Sequence, residues 1–139
     1  MIEIEKWFNT VSIVGGIVGG FLCQWLGGWD VIIKALFMLV VLDYVTGVLK
    51  AFYTKTLSSE VGFKGLIRKI VIFIVIATAV IIQMVVGNVI PLREVTITFF
   101  LCNEGISLLE NASEFVPIPD KLKDTLIQLR DNKTDVKKE

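Results

Sequence analysis

The residues best able to do chemistry lie in one stretch, Thr96–Phe115, TITFFLCNEGISLLENASEF. It is long enough to cross a bilayer, yet it carries Asn103, Glu104, Ser107, Glu110, Asn111 and Glu114. At about 100° per residue, positions 103, 107, 110, 111 and 114 fall within roughly a third of a turn. Glu104 lies at the edge of that arc, and Leu101, Leu108, Leu109, Ala112 and Phe115 lie opposite. The polar face needs a polar partner: another helix, a water-filled lumen or the membrane surface. A further acid, Asp43, sits some 12 residues, or about 18 Å, into the apolar run Val31–Ala51. A carboxylate at that depth costs roughly 2.5–3.5 kcal/mol to insert, so it must face protein or water. Thr46, Gly47 and Lys50 share its side of the helix. Two roles are open for Asp43: an interhelical hydrogen-bonding residue, or a position in a lumen or gate.

Composition narrows the chemistry. The chain of 139 residues has no histidine, which removes the commonest general base and metal ligand. Glu104 and Glu110 could in principle do acid–base work, but no nucleophile motif, phosphate loop or substrate pocket accompanies them. Cys23 and Cys102 lie in apolar segments, are not spaced for metal, and read as buried, inert thiols. The expectation is a protein that is not an enzyme and has no cofactor and no metal. Lys+Arg and Asp+Glu are equal at 14 each, so nothing points to nucleic acid.

The residues are 54% hydrophobic, with a mean hydropathy of +0.72. They are massed in long runs, which predicts an integral membrane helical bundle of all-α class with the lipid bilayer as partner. Four spans are expected, at about 10–28, 31–51, 70–90 and 96–115, within a membrane domain covering 10–115. The alternative is three spans with the polar-striped segment lying on the surface. Residues 1–9 read as a retained cytoplasmic segment, since MIEIEKWFNT is acidic and no A-x-A-like cleavage site follows. Residues 116–139 read as a cytoplasmic tail with a short amphipathic helix over KLKDTLIQLR, its apolar edge formed by Leu122, Leu126 and Leu129. The last eight residues are expected to be disordered.

The first span holds GGIVGG, in which Gly15 pairs with Gly19 and Gly16 with Gly20 as G-x-x-x-G. Glycines four apart let helices approach backbone to backbone in lipid. They either ease packing within one chain or form a seam between copies in a homo-oligomer. Lys50, Lys55, Lys64, Arg68 and Lys69 make a basic connector, where Ser58, Ser59, Gly62 and Gly65 are expected to break up any long helix. Positive loops stay in the cytoplasm. With four spans and both termini inside, the inner side carries Lys6, the connector and six tail charges, while the outer side carries only Arg93.

Several short patterns recur together in a known family. They are Asp43-Tyr44-Val45-Thr46-Gly47, then Ser58-Ser59, then Gly62-x-x-Gly65-x-x-Arg68-Lys69. The most specific is Asn103-Glu104-Gly105-Ile106-Ser107-Leu108-Leu109-Glu110-Asn111, followed by Val116-Pro117-Ile118-Pro119 with Leu122 and Leu126. In these the chain resembles the toxin secretion/phage lysis holins, small multi-pass proteins of phages and prophages of Gram-positive bacteria. The resemblance covers roughly Asp43 to Arg130. Phe115 stands where that family usually has glycine, which leaves the local turn open.

The resemblance implies a protein that accumulates in the bacterial cytoplasmic membrane and oligomerises. It then opens lesions that release a phage endolysin or a toxin, with no direct contact required. The polar stripe would be buried between helices at rest and line the hole afterwards. Two other classes fit the residues: a small ion channel or transporter using intramembrane carboxylates, and a membrane adaptor whose stripe docks a partner protein.

Overall fold

The computed structural model describes residues 1–135, with side chains described through Asn132. Five helices form: α1 Ile2–Trp25, α2 Val31–Tyr53, α3 Ser59–Val86, α4 Leu92–Ala112 and α5 Asp120–Asp135. Among the described residues there is no strand, and the expectation of a helical membrane bundle holds. By length and composition α1, α2 and α3 can each cross a membrane. α4 falls short on hydropathy because of its polar stripe.

Several boundaries differ from expectation, each for a local reason. α1 begins at Ile2 rather than near Thr10, with Glu3 and Glu5 in the first turn, where the helix dipole favours acids. α3 begins at Ser59, not Ile70. The Ser58 hydroxyl accepts the Val61 N–H at 3.2 Å, and Glu60 pairs with Lys64 one turn on, at 2.6 Å. Most of the basic connector is therefore helix, and its glycines do not interrupt it. α4 ends at Ala112, and Val116 N–H closes back on the Ala112 carbonyl at 3.0 Å. Phe115 makes this turn without left-handed backbone, so the glycine expected there is unnecessary. Its ring packs edge-on against Tyr53, centroids 5.3 Å apart. α5 continues through Asp135, so residues 132–135 are helical where disorder was expected. Residues 136–139 lie outside the described residues.

α4 is the hub, packing against α2 most extensively and then against α5 and α3. α2 and α4 run parallel, because Asp30 meets Arg93 at one end and Lys50 meets Glu114 at the other. α3 runs antiparallel to both. Ile33, Leu36 and Val40 of α2 face Ile72 and Ile76 of α3 and Ile97 of α4, forming the apolar core. α1 stands apart: none of its residues is buried, and among the described residues it touches no helix but α3.

At the end where α1 gives way to α2, Arg93 closes the bundle. Its side chain is 7% exposed, and the guanidinium reaches Asp30 at 2.8 and 3.0 Å, the Leu26 carbonyl at 2.6 Å and the Gly28 carbonyl at 3.2 Å. The hydrogen bond from Arg93 holds the Asp30 carboxyl below the usual carboxylate range. Asp30 also caps α2, accepting the Ile33 N–H at 3.3 Å. Gly27 makes the arrangement possible: its φ is +77°, and a Cβ there would lie 2.6 Å from Arg93 Nε. Gly27→Ala should cost roughly 1–2 kcal/mol for left-handed backbone alone, with the displacement of Arg93 in addition. Thermal unfolding in detergent should show a lowered midpoint; an unchanged midpoint would mean that the clamp is dispensable.

Candidate functional site

The apolar seams of three helices run into one polar layer. Along α2 the inward positions 33, 36 and 40 lead at the same spacing to Asp43. Along α3 the positions 76 and 72 lead to Lys69, and along α4 Ile97 leads to Glu104. Lys69 Nζ donates to Asp43 Oδ2 and Glu104 Oε2, and all three residues are at most 8% exposed. Asn111, two turns beyond Glu104, donates to Asp43 Oδ1 at 3.0 Å, the Asp43 carbonyl at 3.3 Å and the Thr46 hydroxyl at 3.3 Å. Thr46 itself donates to the carbonyls of Leu42 and Asp43. Gly47 lies beside Asn111, where a Cβ would make an ordinary contact with its Nδ2 at 3.5 Å.

The expected stripe on α4 therefore has two edges. Glu104 and Asn111 face α2 and α3. Asn103 and Glu110 face α5: Arg130 Nη1 donates to Asn103 Oδ1 at 3.2 Å, and Lys123 pairs with Glu110 at 3.0 Å. Ser107 is partly buried between the edges. Glu114, past the end of α4, pairs with Lys50 at 3.5 Å.

α5 thus folds back along α4 rather than lying as a separate surface helix. The face that it presents is Lys123, Leu126 and Arg130. Leu126 seats on Gly105, where a Cβ would meet its Cδ1 at 3.1 Å. Leu122 and Leu129, expected on the same apolar edge as Leu126, are each 49% exposed. The reason is what α4 offers there: a carboxylate, an amide and a glycine, which select cations around one leucine.

Lys69 is a correction to the expected cytoplasmic connector. It lies inside the bundle because α3 starts eleven residues earlier than the run of apolar residues suggests. Lys55 and Arg68 remain exposed, and Lys64 is exposed with Glu60. Arg93 was legible only as a lone outer charge, although Asp30 across the turn was the signal for its partner. Among the described residues, Gly15, Gly16, Gly19 and Gly20 would have nothing within 4 Å of an added Cβ, so no packing there uses them. Cys102 is buried, whereas Cys23 is only half-buried. Among the described residues no three acids or thiols gather as metal ligands, and Lys69 supplies the positive charge between the carboxylates.

The two sequence patterns that seemed most distinctive, Asp43–Gly47 and Asn103–Asn111, touch each other in this layer. The model of the bacteriophage holin family matches residues 20–131, which include both. The chain belongs to the bacteriophage holin family. A probable holin of Bacillus phage phi105 is 34% identical over 90 residues, covering 64% of this chain and 67% of that one. An uncharacterised 14.9 kDa protein from the nagH 3' region of Clostridium perfringens is 40% identical over 122 residues, covering 85% and 92%. An uncharacterised protein of Listeria innocua is 38% identical over 119 residues, covering 84% and 83%. No solved structure matches the chain. With three helices able to span, this holin-family chain is a multi-pass membrane protein.

Taking Lys69 away from this holin would leave two carboxylates buried without a cation, at a cost of about 3–5 kcal/mol. Lys69→Met should sharply lower the thermal midpoint in detergent, and Lys69→Arg should recover most of it. Equal midpoints for Lys69→Met and wild type would mean that the layer does not hold the helices together.

Proposed function

We propose that the chain acts as a phage-type holin: it oligomerises in the bacterial cytoplasmic membrane and opens lesions through which an endolysin, or a protein toxin, leaves the cell. The observation that carries this reading is α4, a helix whose polar stripe is satisfied on both edges inside a single chain. Such a stripe is costly against lipid and comfortable against water. It can stay hidden in the single subunit and face a lumen once subunits assemble.

α1 to α4 cross the membrane, and both termini lie in the cytoplasm. In support, α4 runs beside α2 over nearly its whole length, from the Asp30–Arg93 pair to the Lys50–Glu114 pair. Lys55, Lys64 and Arg68 lie toward the opposite end from Arg93, in accord with an excess of cytoplasmic Lys and Arg, and α5 starts near that end, at the Lys123–Glu110 pair, before running back along α4. α5 exposes Lys121, Asp124 and Gln128 along with Leu122 and Leu129, a mixed surface whose charges lipid does not accept. The face formed by α4 and α5 therefore turns toward water in the assembly. The unpartnered Gly15, Gly16, Gly19 and Gly20 of α1 provide the close approach between copies.

Inducible expression in a bacterium, with and without a cytoplasmic endolysin that has no signal peptide, tests the reading. Abrupt loss of turbidity only when both are present is expected. Depolarisation without endolysin release would favour a small ion channel, and neither effect would leave an adaptor. Glu110→Leu removes a half-exposed ion pair, worth only about 0–1 kcal/mol of stability. It should therefore insert and accumulate normally yet fail to lyse. Normal lysis timing would remove Glu110 from the lining.

A further inference from the structure

Below the ionic layer α2 and α3 diverge. Their contact is far smaller than the contact of either with α4. Tyr44 props the gap, lying against Gly62 and Gly65 and donating its hydroxyl to the Gly62 carbonyl at 3.4 Å. The result is a cavity of about 370 Å³, open to one side and reaching inward to Asp43, Lys69 and Asn111. That volume is in the range of small-molecule sites, roughly 300–1,000 Å³.

Its walls and its rim differ in chemistry. Tyr44, Val48, Leu57 and Val61 give an apolar lining, while Lys64 and Arg68 stand at the edge. Arg68 is exposed and, among the described residues, has no ion-pair partner. Lys64 meets only Glu60, through an exposed pair that competes weakly with another anion. The cavity lies toward the end of the bundle with the basic connector, where the hydrocarbon gives way to headgroups. An apolar wedge between membrane helices fills with acyl chain, and a cationic rim at headgroup level selects a phosphate without a compensating cation.

We propose that this groove is a binding site for an anionic phospholipid, whose phosphate seats on Lys64 and Arg68 and whose acyl chain lies along Val48, Leu57 and Val61. The chain end then covers the open side of the ionic layer, so the lipid keeps water from Lys69 and Asp43. This site depends on the membrane placement of α2 and α3, and does not require hole formation.

Native mass spectrometry of the full chain in neutral detergent tests it, with palmitoyl-oleoyl phosphatidylglycerol compared against phosphatidylcholine bearing the same chains. The wild type should retain phosphatidylglycerol preferentially. The double substitution Lys64→Gln with Arg68→Gln should weaken that binding by roughly fivefold per charge and erase the preference. Val61→Trp fills the groove without changing charge and should reduce retention of both lipids. Lys34→Gln, at the other end of the bundle, should change nothing. Equal retention of the two lipids by the wild type, or equal losses from Lys34→Gln and the double substitution, would overturn the proposal. So would a chain dimer that Val61→Trp disrupts with no lipid retained, because a second copy would then occupy the groove.

Discussion

One lysine between two carboxylates, each from a different helix, fixes the arrangement of the bundle. α2 and α3 touch each other less than either touches α4, and Lys69 reaches Asp43 and Glu104 across a junction that α4 completes. A buried ion cluster of this kind adds little net stability over apolar packing of the same volume. Its consequence is selective. In an apolar medium, every arrangement that parts the three helices strands a charge. In water the same separation is inexpensive, because each group is solvated again. The layer therefore makes the bundle stable against lipid and permissive toward water.

α5 extends that logic to the outer edge of α4. Without it Asn103 and Glu110 would face whatever surrounds the chain. With it they face Arg130 and Lys123, and Leu126 closes onto Gly105. The polar contacts here are exposed or half-buried and each is worth little singly, so the polar cover on this edge is weaker than the buried pairing of Lys69 with its carboxylates. In the proposed holin cycle the stripe is thus guarded by one weak edge and one strong edge.

Much of this was legible in the residues. The depth of Asp43 demanded a partner, and the arc of positions 103 to 114 demanded a polar one. The patterns around both were specific enough to suggest the family. The identity of the partner was not legible, because Lys69 closes a run of basic residues that reads as a loop. What decides the matter is the start of α3. Two glycines, each costing about 1 kcal/mol in a helix, are outweighed by the Ser58 cap and by packing against Tyr44. Once the helix begins there, Lys69 falls in register with Ile72 and Ile76 and must point inward. The leucines of α5 misled for a related reason. Amphipathicity locates an apolar edge, but the partner surface decides which edge is used, and α4 offers a polar one. The glycines of α1 carry no such conflict: nothing among the described residues approaches them.

The central claim is that the stripe of α4 is covered at rest and meets water when the hole opens. Ser107, between the two edges, is the position to probe. Cells expressing Ser107→Cys would be treated from outside with a membrane-impermeant maleimide before and after the onset of lysis, with the parent chain as the background. The account predicts no labelling above that background beforehand and clear labelling afterwards. Labelling that is absent at both times, or present at both, would contradict it.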